Sequence, residues 1–257
     1  MHKNIKFGIK ISTKDFHLLP VIYNHDNLID FIEVIIFPDF IDADLDNLNL
    51  IELPYCIHLP NSNYGIDFGN IRKQQENKIF IQKINRFKKK IKELTPFCYI
   101  VHPESGDIDL SISNIKKLKV RPIAIENMPL KSLLGGELLG FNVKSLDEFF
   151  QKISNLEFCF DINHAIKASY SLQIDHISFI KEFLKYKQPL IFHIAGGDPK
   201  IGVDEHLNLS EGAYDLSEIK DILFNYGKEI FLTFETPRNN NDGIADDLKN
   251  FKIFIES

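Results

Sequence analysis

Cysteine is scarce in this chain: Cys56, Cys98 and Cys159 are an odd number, none stands in a CxxC spacing, and each sits inside an apolar run. This argues against a disulfide framework or a zinc finger, and for small buried core residues in a reducing compartment. Long apolar runs are missing. None approaches the roughly 18 uninterrupted residues of a membrane span. The opening MHKNIKFGIKIS also lacks the apolar stretch of a secretory signal. The expectation is a cytoplasmic chain without a membrane partner. Basic excess is missing too: 30 Lys and Arg against 36 Asp and Glu leave a net charge of −6, which weighs against a nucleic-acid partner. No Pro/Gly/Ser-rich linker or shift in composition divides the sequence, so residues 1–257 read as one domain. There is no GxGxxG after a strand, no GxxxxGK[ST], no GxSxG and no HExxH, which removes the commonest dinucleotide, P-loop, serine-hydrolase and zincin readings.

What is present is 44% hydrophobic residues, ample for a core. They gather in eight short runs rich in Ile, Val and Phe: KFGIKIS (6–12), FIEVIIF (31–37), YCIHL (55–59), FCYIVH (97–102), PIAIEN (122–127), EFCFDI (157–162), LIFHIA (190–195) and IFLTFE (230–235). The runs are mostly continuous, as expected of strands buried on both faces in a parallel sheet. Helix-like stretches separate them. Ser145 with Glu148, and Asp215 with Glu218, read as capping boxes. After Asn70, the residues Phe80, Ile84, Phe87, Ile91 and Leu94 recur at helical steps. Lys88, Lys89, Lys90 and Lys92 fill the other side, which reads as a solvated helix face rather than a nucleic-acid patch. Eight strands alternating with helices predict the α/β class and a (β/α)8 TIM barrel. Its second helix should be reduced to a turn or two, because PDFIDADLDNLNLIELP (38–54) is too short and acidic for a full crossover helix. NNND at 239–242 reads as a loop.

Several runs stop on residues of one chemical kind: IVHP on His102, IAIEN on Glu126, FCFDINH on Asp161 and His164, LIFHIAGG on His193, FLTFETP on Glu235. In such a barrel the C-terminal strand ends converge on one mouth, where active sites lie. Any one of these residues alone reads as a capped strand end. Five strand ends together point to a metal site, since carboxylates buried near a barrel top must be paired or bind a cation. Carboxylate and imidazole suit a divalent ion, Mn²⁺ or Zn²⁺ first, Mg²⁺ or Fe²⁺ next. His164 turns off the sixth strand, and Asp204 with His206 forms an Asp-x-His pair on the loop after the seventh. Together these three could make a second metal site or a polar wall for substrate. His58 reads as a substrate contact or further ligand, or equally as a hydrogen-bonded strand-end histidine. Glu33 reads as a structural ion pair with Lys10, and His2, His17, His25 and His176 as surface or core residues.

ENMP (126–129), DINHA (161–165) and DEHLNLSEG (204–212) resemble the xylose isomerase-like TIM barrels. That superfamily joins sugar and sugar-phosphate isomerases and epimerases to endonuclease IV, or AP endonuclease family 2. The resemblance spans nearly the whole chain and is densest from His102 to Glu235. It implies one divalent ion held by Glu126, Asp161, His193 and Glu235. It also implies an open-chain sugar or sugar phosphate as substrate, reacting through an enediolate, with Glu126 and Glu235 as acid and base. The endonuclease IV branch would also claim His102, His164, Asp204 and His206 for a trinuclear zinc site acting on abasic DNA. Two departures stand against it. Asn70, in NYGIDFGN, stands where an early histidine ligand is expected, and the loop after strand two is acidic FPDFIDADLD rather than basic and aromatic, so it would repel phosphates. A related multi-iron group differs at DINHA. A barrel that keeps its metal only for structure or sugar sensing is the non-enzymatic alternative.

Overall fold

The computed structural model describes residues 4–25, 27–39, 46–87, 95–133, 135–238 and 243–257. Eight parallel strands close in chain order into a barrel. They are β1 (Ile5–Ser12), β2 (Phe31–Ile35), β3 (Tyr55–His58), β4 (Tyr99–Val101), β5 (Ile123–Glu126), β6 (Leu156–Asp161), β7 (Ile191–Ile194) and β8 (Ile230–Phe234). Each lies on one of the eight apolar runs. Among the described residues eight helices surround them: α1 (Leu19–Tyr23), α2 (Gln74–Phe87), α3 (Ile108–Lys117), α4 (Val143–Lys152), α5 (Ile162–Leu172), α6 (His176–Tyr186), α7 (Leu216–Phe224) and α8 (Ala245–Glu256). This is a (β/α)8 TIM barrel. The helices are unevenly shared, with two, α5 and α6, in the β6–β7 crossover. Of the β2–β3 connection, the described residues include a 3₁₀ turn at Leu48–Leu50. The rest of the expected reduced helix falls on residues 40–45, outside the described residues, as do Lys88 to Leu94 and NNND.

Period-two alternation divides each strand between two cores. One set of side chains, among them Ile9, Val34, Ile57, Phe158, Phe192 and Phe234, packs against the helices in the larger cluster. The other set fills the barrel. Phe31, Phe97 and Phe231 stack as a plug with ring centroids 5.3 to 5.7 Å apart. Above them sit Cys56, Cys98, Ile100, Ala124, Cys159 and Ile191. All three cysteines are free and buried in this inner layer. Gly8 is required here: a Cβ at that position would stand 2.2 Å from the Phe31 ring across the β1–β2 pair.

Five of the described helices, α3 to α7, start where a side chain takes up a free N–H group. Asp215 accepts from Glu218 N at the start of α7, which is the Asp215 half of the expected capping box. The expected cap at Ser145 is corrected. Asn142 caps α4, accepting from Ser145 N at 2.8 Å, so Ser145 lies inside the helix and its hydroxyl instead accepts from Gly140 N. Within α2, Phe80, Ile84 and Phe87 are buried as the spacing requires.

Candidate metal centre

The same alternation builds the site. Two residues beyond each small or apolar inner residue, β1, β2, β3, β5, β6 and β7 place an ionisable side chain on the same face: Lys10, Glu33, His58, Glu126, Asp161 and His193. His102 follows β4 in this way and Glu235 follows β8, so every strand contributes one group to the C-terminal mouth. Glu33, Glu126, Asp161 and His193 are wholly buried, and His58, His102 and Glu235 nearly so.

The groups converge on His193. Its Nδ1 lies 2.9 Å from Glu235 Oε1, 3.5 Å from Glu126 Oε2 and 4.0 Å from Asp161 Oδ2, while Nε2 lies 2.9 Å from Glu33 Oε2. The four residues expected as a ligand set therefore meet at one nitrogen. Beside them, His58 Nδ1 is 2.8 Å from Glu33 Oε1, and His58 Nε2 is 3.0 Å from His102 Nε2. His102 Nε2 in turn is 3.1 Å from Glu126 Oε2. The Lys10 ammonium donates to Glu235 and lies 3.3 Å from Glu33 and 2.9 Å from His58 Nδ1. The expected Lys10–Glu33 pair is thus present, but both residues belong to the centre rather than to the frame alone.

A second group leans in from α5 and the β7 loop. Asn127 pins the Asp161 backbone, donating to its carbonyl and accepting from its N–H, both at 2.8 Å. One Asp161 oxygen caps α5 by accepting from His164 N at 2.7 Å. The Nδ1–H of His164 donates to the Asn127 carbonyl at 2.8 Å, so its Nε2 faces Asp204, 3.4 Å away. His206 Nε2 lies 2.8 Å from Asp204 Oδ2 and 3.4 Å from Glu235 Oε2. This loop is held by the buried Lys167, which donates to Glu205 and to the Asp198 carbonyl. Tyr214 also holds it, donating to Asn163, which in turn donates to Asp204. His206 has a φ of 48° and Glu104, beside His102, a φ of 63°, left-handed conformations that cost energy in residues other than glycine and often mark functional sites.

Burial opposes every charge here, yet most of the groups, Asp161 and His58 apart, hold one another charged. It opposes an imidazolium at His102, but the Glu126 charge and hydrogen bonds to Glu104 and Glu126 outweigh it and raise the pKa to about 10. The same contest raises His193 and His164 well above the usual value, through surrounding carboxylates and, for His193, Cys159. Glu126 and Glu235 are held well below the carboxylate range despite burial, by His102 and His193 for the first and by Lys10 and His193 for the second. Burial, with the Glu126 and Glu235 charges, lifts Asp161 to about 6. His58 falls to about 4, through burial and the Lys10 charge.

Four buried carboxylates facing one lysine leave negative charge that something must neutralise. Glu126 Oε1 and Asp161 Oδ2 are buried and accept no hydrogen bond. Four overlapping groups could hold a metal ion, each with ligand atoms within 4.8 Å of one another: Glu33, His58, His193 and Glu235; His58, His102 and Glu126; Glu126, Cys159 and His193; and Asp161, His164 and His206. The residues therefore fit a divalent cation. All nine residues expected at the site from the sequence come together. Three more join them that the sequence pattern does not mark: Glu33, Lys10 and Cys159, whose Sγ lies 3.6 Å from the His193 ring nitrogens. His17, His25 and His176 lie outside the centre and at least partly exposed. Asn70 spends its side chain locally, accepting from Arg72 N and donating to Asp67.

Over the centre opens a cavity of about 570 Å³, lined in part by Lys10, His58, His102, His164, His206 and Glu235. Among the described residues, no helix is long and apolar enough to cross a membrane. No curated protein sequence matches the chain significantly. Among solved structures, the chain is similar to a 3-keto-D-glucoside 4-epimerase from E. coli, in its apo form, at TM-score 0.67 and 11% identity, covering 98% of this chain and 100% of that one. It is also similar to a xylose isomerase domain protein from Alicyclobacillus acidocaldarius at TM-score 0.63 and 12% identity, covering 98% and 97%. A D-psicose 3-epimerase solved with D-fructose gives TM-score 0.51 and 12% identity over 96% and 89%. At such identities the likeness is one of fold. Residues 101–254, more than half of the chain, match a sequence family directly, and by that match this protein belongs to the xylose isomerase-like TIM barrel family.

Proposed function

We propose that this protein is a divalent-metal-dependent sugar or sugar-phosphate isomerase or epimerase. The observation that carries the reading is the meeting of Glu126, Asp161 and Glu235 at His193 Nδ1, beneath a cavity large enough for a small sugar. Epimerases among its structural neighbours act on sugars, which agrees with this reading. Glu126, Asp161, His193 and Glu235 would hold the ion, with Mn²⁺ or Zn²⁺ suited to the mixed carboxylate and imidazole set. Bound there, it would polarise a substrate carbonyl and stabilise the charge that builds on the neighbouring oxygens.

Proton transfer falls to the carboxylates. Both Glu235 and Glu126 are ionised, as a base must be at the start of turnover. Glu235 lines the cavity and is placed to take the proton from the carbon beside the carbonyl. Glu126, wholly buried, meets the cavity through His102 and His164, which it contacts at 3.1 and 3.2 Å. His164 and His206 would orient hydroxyls or hold a second ion.

The test is Glu235→Gln and Glu126→Gln, assayed on a panel of open-chain aldoses and ketoses with metal content measured alongside. Each should lower kcat by about a hundredfold or more. Full turnover with unaltered metal content would remove these roles. The Asp161, His164 and His206 group beside the others also suits a multinuclear site, and so keeps phosphodiester hydrolysis at abasic DNA as the second reading. Salt-sensitive nicking of an abasic duplex by zinc-loaded protein would put it first.

A further inference from the structure

We propose that the Lys10 ammonium is a tethered cation filling one of the four candidate metal groups, that of Glu33, His58, His193 and Glu235. It thereby keeps a second ion out of the Glu33 side of the centre, as a positioning residue that sets how many ions the centre holds. This deepens the metal-dependent reading and rests on it, while the sugar chemistry does not enter.

The geometry is that of an occupied site. Three atoms able to ligate a metal surround Lys10 Nζ: it donates to Glu235 Oε1, and lies 3.3 Å from Glu33 Oε1 and 2.9 Å from His58 Nδ1. These atoms are spaced as donors to one ion would be. His58 Nδ1 is 2.8 Å from Glu33 Oε1 and 3.5 Å from Glu235 Oε1. Ligands held at roughly 2.0–2.2 Å from a metal stand about 3 to 3.5 Å from one another. An ammonium carries three donors and no acceptor, so it can face the same atoms with a positive charge that cannot dissociate.

The fold holds the lysine in this place. Its partner across the β1–β2 pair is Glu33 itself. Its carbonyl accepts from Arg238, which Asp247 grips through both oxygens at 2.6 and 3.2 Å. Its side chain stands on the cavity wall with His58 and Glu235, whereas Glu33 is wholly buried and outside that wall. An ion arriving from the cavity therefore meets Lys10 before Glu33.

Glu33 is left with a different use. Its Oε2 lies 2.9 Å from His193 Nε2. That is the place of a carboxylate which accepts the second ring N–H of a metal-ligating histidine and leaves the other nitrogen for the ion. The other nitrogen, Nδ1, is the one facing Glu126, Asp161 and Glu235. With Lys10 in place, the group is divided: His193 and Glu235 serve the ion at Nδ1, and Glu33 supports His193 from behind. Without Lys10, the atoms of Glu33, His58 and Glu235 that face it would be open to a second ion, with Glu235 shared between the two.

The experiment counts metal by elemental analysis after loading with excess Zn²⁺ or Mn²⁺ and desalting. Wild type is compared with Lys10→Ala, Lys10→Gln, and Lys10→Ala combined with Glu33→Gln. Each single variant should hold about one more ion per chain than wild type. Its Tm without metal should fall, and the added ion should restore it. The double variant should return to the wild-type count. Ethylamine added to Lys10→Ala should displace the extra ion, a rescue that a merely structural lysine would not produce. An unchanged count in both single variants, or an extra ion that persists in the double variant, overturns the inference and leaves the metal-dependent reading intact. Failure of both single variants to fold even in excess metal also overturns it, since no ion then replaces the ammonium. An ion in Lys10→Ala but none in wild type supports the inference and removes the metal-dependent reading of the native centre. No ion in wild type or in any variant removes both.

Discussion

Loading this centre with a divalent ion should expel protons, and the size of the effect follows from the site. Without metal, the buried carboxylates are balanced by Lys10 and by histidines that keep their protons. His102, His164, His193 and His206 are all raised, His102 to about 10 against an ordinary 6.5. A pKa raised on folding adds stability that is fully present below the unfolded value and is lost as pH climbs through the folded one. For His102 that window runs from about 6.5 to about 10. Its shift corresponds to a contribution on the order of 5 kcal/mol, lost across those pH units. Asp161, raised to about 6 from 3.8, has the same sign in a lower window, so its share is already gone by neutrality. His58, lowered to about 4, is neutral throughout and needs no deprotonation to bind a metal. A metal ion can take an imidazole nitrogen only after its proton leaves. Calorimetric titration with Mn²⁺ or Zn²⁺ at pH 7.5, in two buffers of different ionisation enthalpy, should show about one to two protons released per ion. The Tm of the metal-free protein should fall steadily between pH 7 and 10. With metal at about a hundred times its Kd, roughly 2.7 kcal/mol should be regained, and more of it at high pH than at neutrality. Identical heats in both buffers, together with a metal-free Tm flat from pH 7 to 10, would mean that the histidines are not the counter-charge and would refute this charge balance.

The loop carrying Asp204 and His206 should depend on Lys167. Glu205→Gln leaves that buried ammonium short of its partner and should cost about 3 kcal/mol in a denaturant midpoint assay, whereas Lys167→Met, which removes the charge and keeps the volume, should cost less. Both should speed tryptic cleavage after the exposed Lys200 on that loop, and unchanged cleavage in both would deny the clamp. Gly8→Ala drives a methyl into the Phe31 ring and should lower stability by about 1–3 kcal/mol, measured by denaturant melting, while a neutral result would mean that the aromatic plug can shift freely.

The barrel is legible in the sequence because its strands are short, apolar and evenly separated, and all eight runs form strands. The site is legible where a run ends abruptly on an ionisable side chain, as at Glu126 or Asp161. It is hidden where the ionisable residue sits within a run. Glu33 and Lys10 interrupt continuous apolar blocks, and the simplest repair for an interruption is a local ion pair. Alternation carries the better signal. Glu33 stands two residues beyond Phe31, and Lys10 two beyond Gly8, each on the face that fills the barrel. The same step leads from Cys56 to His58, from Ala124 to Glu126 and from Cys159 to Asp161. Once inner and outer faces are told apart, the last inward residue of every strand is forced toward the mouth, and a carboxylate there needs a counter-charge whether or not it ends its run. The Ser145 cap fails for a different reason: Asn142, three residues earlier, is as good a cap, and nothing in local sequence ranks one over the other. The Lys167 clamp is out of reach altogether, because its partners on the β7 loop lie 31 and 38 residues away and only the folded chain brings them together. What the fold adds is therefore the reason these groups can be charged: a buried ring in which carboxylates face a lysine and protonated histidines, arranged so that they could also hold a metal ion.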